Sequence, residues 1–101
     1  MFSFIQDVPS NAEMYGKVRA GVGPETPRGM VAHIVIETET GLRYVDVWED
    51  ESAWTAFRDS RLLPVVREVL ASYGIEDDPA QAVREPISVI DAWTAEPVSA
   101  R

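Results

Sequence analysis

Residues 30–48 read MVAHIVIETETGLRYVDVW, two apolar runs that flank a short polar segment. The first run, Met30 to Glu37, is rich in β-branched residues, and the second, Leu42 to Trp48, alternates in polarity along its length. Residues 38–41 between them have the composition of a tight turn. The stretch therefore predicts a β-hairpin.

The register of this hairpin decides which side chains share a face of the sheet. If Glu39 and Thr40 form the turn, His33 lies opposite Asp46, whereas a turn one residue later sets His33 opposite Trp48. The first register produces one apolar face, which we expect to pack on the helices, and one mixed face, which needs another cover. The apolar face carries Met30, Ala32, Ile34, Ile36, Val45 and Val47, and the mixed face carries Val31, His33, Val35, Tyr44, Asp46 and Trp48.

A strand and a helix are predicted before the hairpin. Phe2 to Gln6 is short, aromatic and apolar, which favours a strand. Ser10 and Glu13 have the spacing of a capping box, so a helix is expected to begin there and to run to about Ala20. Residues 21–24, with two glycines and a proline, end it.

A second helix and a last strand are predicted after the hairpin. Residues 49–52 place acidic side chains where a helix N-terminus favours negative charge. The helical period continues past Pro64, which suits the first turn of a continuation, and Gly74 stops it. Pro86 to Trp93 alternates in the manner of a strand. The order β-α-β-β-α-β predicts the α+β class, in one domain over residues 1–93 with a C-terminal tail over 94–101.

Composition and charge narrow the classes of partner. The chain has 101 residues, 46% of them hydrophobic, which fits one globular domain. Its formal charge of −8 would repel both a phosphate backbone and an anionic membrane surface, so neither nucleic acid nor membrane is an expected partner. The chain has no cysteine and one histidine, His33, which excludes cysteine-bound metal centres and a multi-histidine metal site. We expect no metal and no cofactor. No signal or membrane-spanning segment is apparent, which predicts a cytoplasmic protein.

Four groups of residues carry a likeness to a known superfamily: Pro9 with Glu13 to Tyr15, Gly29 to His33, Tyr44 to Glu49, and Trp54, Phe57, Leu63 and Pro64. In these residues the chain resembles the dimeric α+β barrel superfamily, which includes antibiotic-biosynthesis monooxygenase-like and stress-responsive barrel proteins. The resemblance implies a ferredoxin-like antiparallel sheet in each protomer and a homodimer whose two sheets face each other, with a pocket for a small molecule. Some members oxygenate polycyclic phenols without a cofactor, using an asparagine on the first strand, a strand that has none here. Others degrade haem and bind its iron through a helical histidine.

The mixed face of the hairpin holds the candidate site. His33 and Asp46 have the parts for proton transfer, because a carboxylate can orient an imidazole that titrates near neutral pH. The alternative is that they form a satisfied buried polar pair. Aromatic side chains predicted to bind a flat ligand are Tyr44, Trp48, Trp54 and Trp93, although Trp54 also suits plain packing between helix and sheet.

Two functions remain open at this level. The first is a small-molecule enzyme, a cofactor-independent monooxygenase or isomerase that acts on an aromatic or polyketide-like compound. The second is a non-catalytic module for ligand binding or assembly. Both are expected to work as a homodimer, because a small domain has too little helix to cover both faces of its sheet.

Overall fold

A computed structural model of the chain describes residues 1–76, 78–79 and 82–95. It has an α+β fold in which helices lie against a four-stranded antiparallel sheet, as predicted. Residues 96–101 of the predicted tail lie outside the described residues. The elements are β1 (Phe2–Val8), α1 (Ala12–Val22), β2 (Met30–Thr38), β3 (Gly41–Trp48), α2 (Glu51–Phe57), a π-helical turn (Arg58–Leu62), α3 (Leu63–Ser72) and β4 (Glu85–Pro86).

The strands lie in the order β2-β3-β1-β4 across the sheet, and each is antiparallel to its neighbours. The predicted hairpin is confirmed, and its two-residue turn is formed by Glu39 and Thr40. His33 therefore lies opposite Asp46. A bulge at Val31 shifts the register at the start of β2.

Both helical segments begin at side-chain caps. Asn11 caps α1 by accepting a hydrogen bond from the Met14 amide at 2.9 Å, so the expectation that Ser10 would be the cap is wrong. The Asn11 carboxamide stands three residues before Met14, the spacing that satisfies a free amide of the first turn. Asp50 caps α2 in the same way through Ala53, as the run of acidic residues predicted.

The helices cover the opposite face of the sheet from the one expected. Ile34 and Ile36, assigned to the helix-facing side, are 52% and 44% exposed. The face that carries His33 and Asp46 packs against the helices instead, where the Tyr15 side chain of α1 meets the His33 ring. The assignment failed because it ranked the faces by aliphatic content, whereas the buried cluster between sheet and helices is aromatic.

Aromatic rings form the core between sheet and helices. Phe4 of β1, Trp48 of β3 and Trp54 of α2 are all buried, and Trp48 is fully so. Their ring centroids lie 4.9 Å apart for Phe4 and Trp54 and 5.5 Å apart for Trp48 and Trp54, in tilted arrangements. Tilted contacts of this kind add to the apolar area that the rings bury.

The last strand is much shorter than predicted. Only Glu85 and Pro86 pair with β1, and the Ile87 amide adds one more hydrogen bond to the Ser3 carbonyl at 3.1 Å. Because the register sets Pro86 opposite Phe4, a longer β4 would find only the first residues of β1 to pair with. In the described part of the chain no helix combines the length and apolar character needed to cross a bilayer.

Candidate functional site

A cleft of about 1070 Å³ lies between the sheet and the helices. Its sheet side includes His33, Tyr44 and Asp46, and α1 contributes Tyr15. Trp54 of α2 and the apolar side chains of α3 complete the wall. A cleft of this size, mostly apolar with a few polar groups at one side, suits a small organic ligand.

A chain of three hydrogen bonds runs along the sheet side of this cleft. The Trp48 indole Nε1 donates to Asp46 Oδ2 at 3.0 Å. Asp46 Oδ1 lies 2.9 Å from His33 Nδ1, and His33 Nε2 lies 2.9 Å from the Tyr15 hydroxyl. The Asp46 side chain is 5% exposed and that of His33 is 24% exposed. The carboxylate is therefore shielded from solvent, and the imidazole stands between it and the cleft.

The network fixes the tautomer of His33. An ionised carboxylate can only accept, so His33 Nδ1 must carry the proton that it shares with Asp46. Nε2 of the neutral imidazole then presents its lone pair and accepts from Tyr15. Because the carboxylate also stabilises the imidazolium that forms when Nε2 takes a proton, this arrangement has the chemistry of a general base.

Two tyrosines flank the imidazole. The Tyr15 ring stacks on His33 with centroids 6.0 Å apart, and Tyr44 lies 5.7 Å from the His33 centroid. Burial, with the charges of Tyr15 and Asp46 adding to it, raises the pKa of Tyr44 to about 12. Burial also raises the pKa of Tyr15, against the opposing charge of Arg19. Both phenols therefore keep their protons at neutral pH, and the Tyr15 hydroxyl donates to His33 Nε2.

The structure brings most of the predicted site residues together. His33, Asp46, Tyr44 and Trp54 all line the cleft. Trp48 adjoins them but is fully buried, so it serves the site through its hydrogen bond to Asp46 rather than as a stacking surface. Trp93 does not join the group, since its side chain is 94% exposed and does not line the cleft.

Sequence reasoning missed two residues of the cleft. No role in the site was predicted for Tyr15, although its hydroxyl is what reaches His33. Arg84 lies between the predicted second helix and the predicted last strand, and its guanidinium carbon is 5.1 Å from the Trp54 ring centroid and 5.7 Å from that of Phe4. The tyrosine hydroxyl on a helix next to the hairpin was the available signal for the first residue, and the stretch before β4 carried none for the second.

Within the described ranges, no three histidine, aspartate or glutamate side chains stand close enough to hold a metal ion. Comparison of the chain with protein-family models, with curated proteins and with solved structures finds no match. The function is therefore inferred from the geometry of the cleft.

Proposed function

We propose that this protein is a small-molecule enzyme that binds a flat aromatic or polyketide-like compound in the cleft and removes an acidic proton from it with His33. The observation that carries the proposal is the hydrogen-bonded chain from Trp48 through Asp46 and His33 to Tyr15, which ends at the cleft. Neighbouring aromatic rings provide a surface on which a flat ligand can stack.

The proposed chemistry divides between two residues. A ligand that enters the cleft displaces the Tyr15 hydroxyl from His33 Nε2, which then accepts a proton from a carbon next to a carbonyl or from a phenol. Negative charge develops on the ligand oxygen, and the Tyr15 hydroxyl donates a hydrogen bond to it. A neutral phenol suits this role because its raised pKa keeps the proton in place.

The resulting enolate or phenolate has two fates. Return of the proton at a different carbon completes an isomerisation and needs no further reactant. Attack of dioxygen on the same carbanion begins an oxygenation, with dioxygen as co-substrate. Both reactions of the proposed class thus share the step that His33 performs.

The second candidate function is a non-catalytic ligand-binding module. One observation favours it: both ring nitrogens of His33 and both carboxylate oxygens of Asp46 already have partners inside the protein. Such a satisfied network can serve only to hold the sheet and α1 together.

We further propose a homodimer of the dimeric α+β barrel type, with a ferredoxin-like half in each protomer. The strand order β2-β3-β1-β4 and the placement of the helices on one face support it. The open face carries Ile34 and Ile36, both exposed, beside the half-buried Ile5 and Val45. A second copy of the same face would bury them, because a self-complementary patch closes as a two-fold pair.

A panel of bicyclic and tricyclic phenols, ketones and quinones tests the function directly. Thermal shift identifies compounds that stabilise the protein, and absorbance then follows whether they are consumed. A stabilising compound that is consumed by the wild type supports the enzyme. Stabilisation without turnover across the whole panel points to the module.

A further inference from the structure

The cleft holds a cation that makes no ion pair within the part of the chain that the structure describes. The chain has 17 acidic and 9 basic residues, so most guanidinium groups should find a carboxylate easily. Arg43 pairs with Asp7, and Arg58 pairs with Asp59. Arg84 takes part in none of the ion pairs among the described residues, and its Nε is buried there without a hydrogen-bond partner.

The surroundings of Arg84 disfavour its charge. Burial is the largest effect and the nearby positive charge of Arg58 the second, and together they lower the pKa of Arg84 against the opposing negative charge of Asp46. The rings of Phe4 and Trp54 lie against the guanidinium and compensate only in part, because a cation over a ring gains less than one bound to a carboxylate. A partly desolvated guanidinium with a free donor, facing a cleft, is the arrangement that binds an anion.

Arg84 stands across the cleft from the proposed base. Phe4, which lies beneath it, pairs with Asp46, and Asp46 pairs with His33 on the other side. Since neighbouring strands are about 4.8 Å apart, the Phe4 and His33 positions are separated by roughly 10 Å along the same face. That separation is about the length of a bicyclic or tricyclic aromatic compound.

We infer that Arg84 binds a carboxylate on the ligand, at the end of the cleft opposite His33. The ligand class is then a flat bicyclic or tricyclic compound with an acidic hydroxyl or carbon at one end and a carboxylate at the other. This inference depends on the proposed function, because the acidic end is defined by His33.

Three probes distinguish the effect of the ligand's carboxylate charge from the effect of its position relative to the hydroxyl. The first is 6-hydroxy-2-naphthoate, which carries hydroxyl and carboxylate at opposite ends; 2-naphthol lacks the carboxylate; and 3-hydroxy-2-naphthoate carries the two groups on adjacent carbons. Calorimetric titration of the wild type should find the first probe bound roughly 10- to 100-fold more tightly than either of the others, as expected for one charge-assisted contact.

The variant Arg84→Met keeps an aliphatic side chain against the Phe4 and Trp54 rings but removes the charge. It should lose the 10- to 100-fold preference for 6-hydroxy-2-naphthoate and bind 2-naphthol within about threefold of the wild type. The control Arg28→Met, which removes an exposed arginine outside the cleft, should keep the preference. A melting temperature for Arg84→Met near that of the wild type verifies that the variant folds.

Equal binding of all three probes to the wild type, or a preference that survives in Arg84→Met, would overturn the inference while leaving the proposed function intact. A tight 3-hydroxy-2-naphthoate complex would overturn the two-ended arrangement. If none of the probes binds the wild type, both the inference and the proposed ligand class are wrong. Selective binding of 6-hydroxy-2-naphthoate without any chemistry at His33 would contradict the function alone.

Discussion

Asp46 is the residue that organises the cleft. Its carboxylate accepts two hydrogen bonds, one from the Trp48 indole and one from His33, while its side chain is 5% exposed. A carboxamide at this position has only one accepting atom, and its NH₂ group would point at a donor. The identity of this residue therefore matters for stability as well as for the orientation of the imidazole.

We expect Asp46→Asn to lower the free energy of unfolding by about 1–3 kcal/mol, because one buried donor loses its acceptor. Urea denaturation followed by tryptophan fluorescence measures the change. The matched control is Asp7→Asn, which alters an exposed ion pair with Arg43 and should leave stability close to that of the wild type. Equal effects of the two substitutions would mean that the buried network stabilises the fold no more than the exposed ion pair does.

Tyr44 should make the folded protein less stable as the pH rises into the alkaline range. Its pKa is raised to about 12 in the folded protein, mainly by burial, against an ordinary value of 10.0. The folded state thus holds the phenolic proton more tightly than the unfolded state does. The resulting contribution of Tyr44 to the free energy of unfolding is complete below about pH 10 and is lost between about pH 10 and 12. Tyr44→Phe should remove this part of the decline. Denaturation at about pH 9 and about pH 11.5 compares the two proteins, and an unchanged decline in the variant would refute the assignment to Tyr44.

Some residues of the site could be predicted from the local sequence pattern, and others could not. The pairing of His33 with Asp46 could be predicted because a hairpin with a two-residue turn fixes its own register. Tyr15 and Arg84 reach the cleft through the docking of α1 and through the path of the chain before β4. Both are long-range features that periodicity does not encode.

At the scale of elements, the hairpin and the two helical segments were predictable, whereas the choice of buried face was not. Alternation separates the two faces of a strand but does not say which one the helices cover. Here the aromatic face is covered, and Phe4, Trp48 and Trp54 form the buried cluster between sheet and helices.

The π-helical turn between α2 and α3 was not predicted either. In it the Leu63 amide donates to the Arg58 carbonyl, and Pro64 follows directly as the second residue of α3.

Alanine substitutions at two glycines test how closely β1 packs against the start of β3. A methyl group at Gly41, the first residue of β3, would collide with the backbone carbonyl of Val8, whereas one at Gly16 on α1 would meet nothing within 4 Å. Gly41→Ala should therefore destabilise by about 1–3 kcal/mol, because the β1–β3 contact must open. Gly16→Ala should stabilise by about 0.5–1 kcal/mol through helix propensity. Thermal denaturation ranks the two variants, and the reverse order would contradict the described path of β1 past the hairpin.

On the scale of the whole molecule, the helices lie on one face of the sheet, and part of the opposite face is exposed in the described part of the chain. Ile34 and Ile36 lie on that face, at the outer strand β2. Exposed β-branched residues on an edge strand favour association unless a partner or a charge blocks it. The second copy that we propose would bury this face and leave the clefts, on the opposite side of each sheet, free for ligand.

Light scattering behind size exclusion should find a particle of twice the 11.2 kDa chain mass. Ile34→Glu places a charge within the proposed contact and should release monomers. The control Ala20→Glu adds the same charge to an exposed position on α1 and should remain a dimer. A wild-type monomer at micromolar concentration would contradict the assembly without affecting the chemistry proposed for the cleft.

If His33 Nε2 accepts a proton from a ligand in the cleft, the protein should catalyse deuterium exchange into a carbon acid. Proton NMR in D₂O follows exchange of the acidic C1 hydrogens of 2-tetralone, a bicyclic ketone, with and without the protein. His33→Asn keeps a donor for Asp46 but lacks the basic nitrogen. We expect the wild type to accelerate exchange and His33→Asn, while still binding 2-tetralone, to return the rate to the protein-free value. Binding of 2-tetralone without faster exchange in the wild type, or undiminished acceleration in His33→Asn, would contradict the proposed proton transfer to His33.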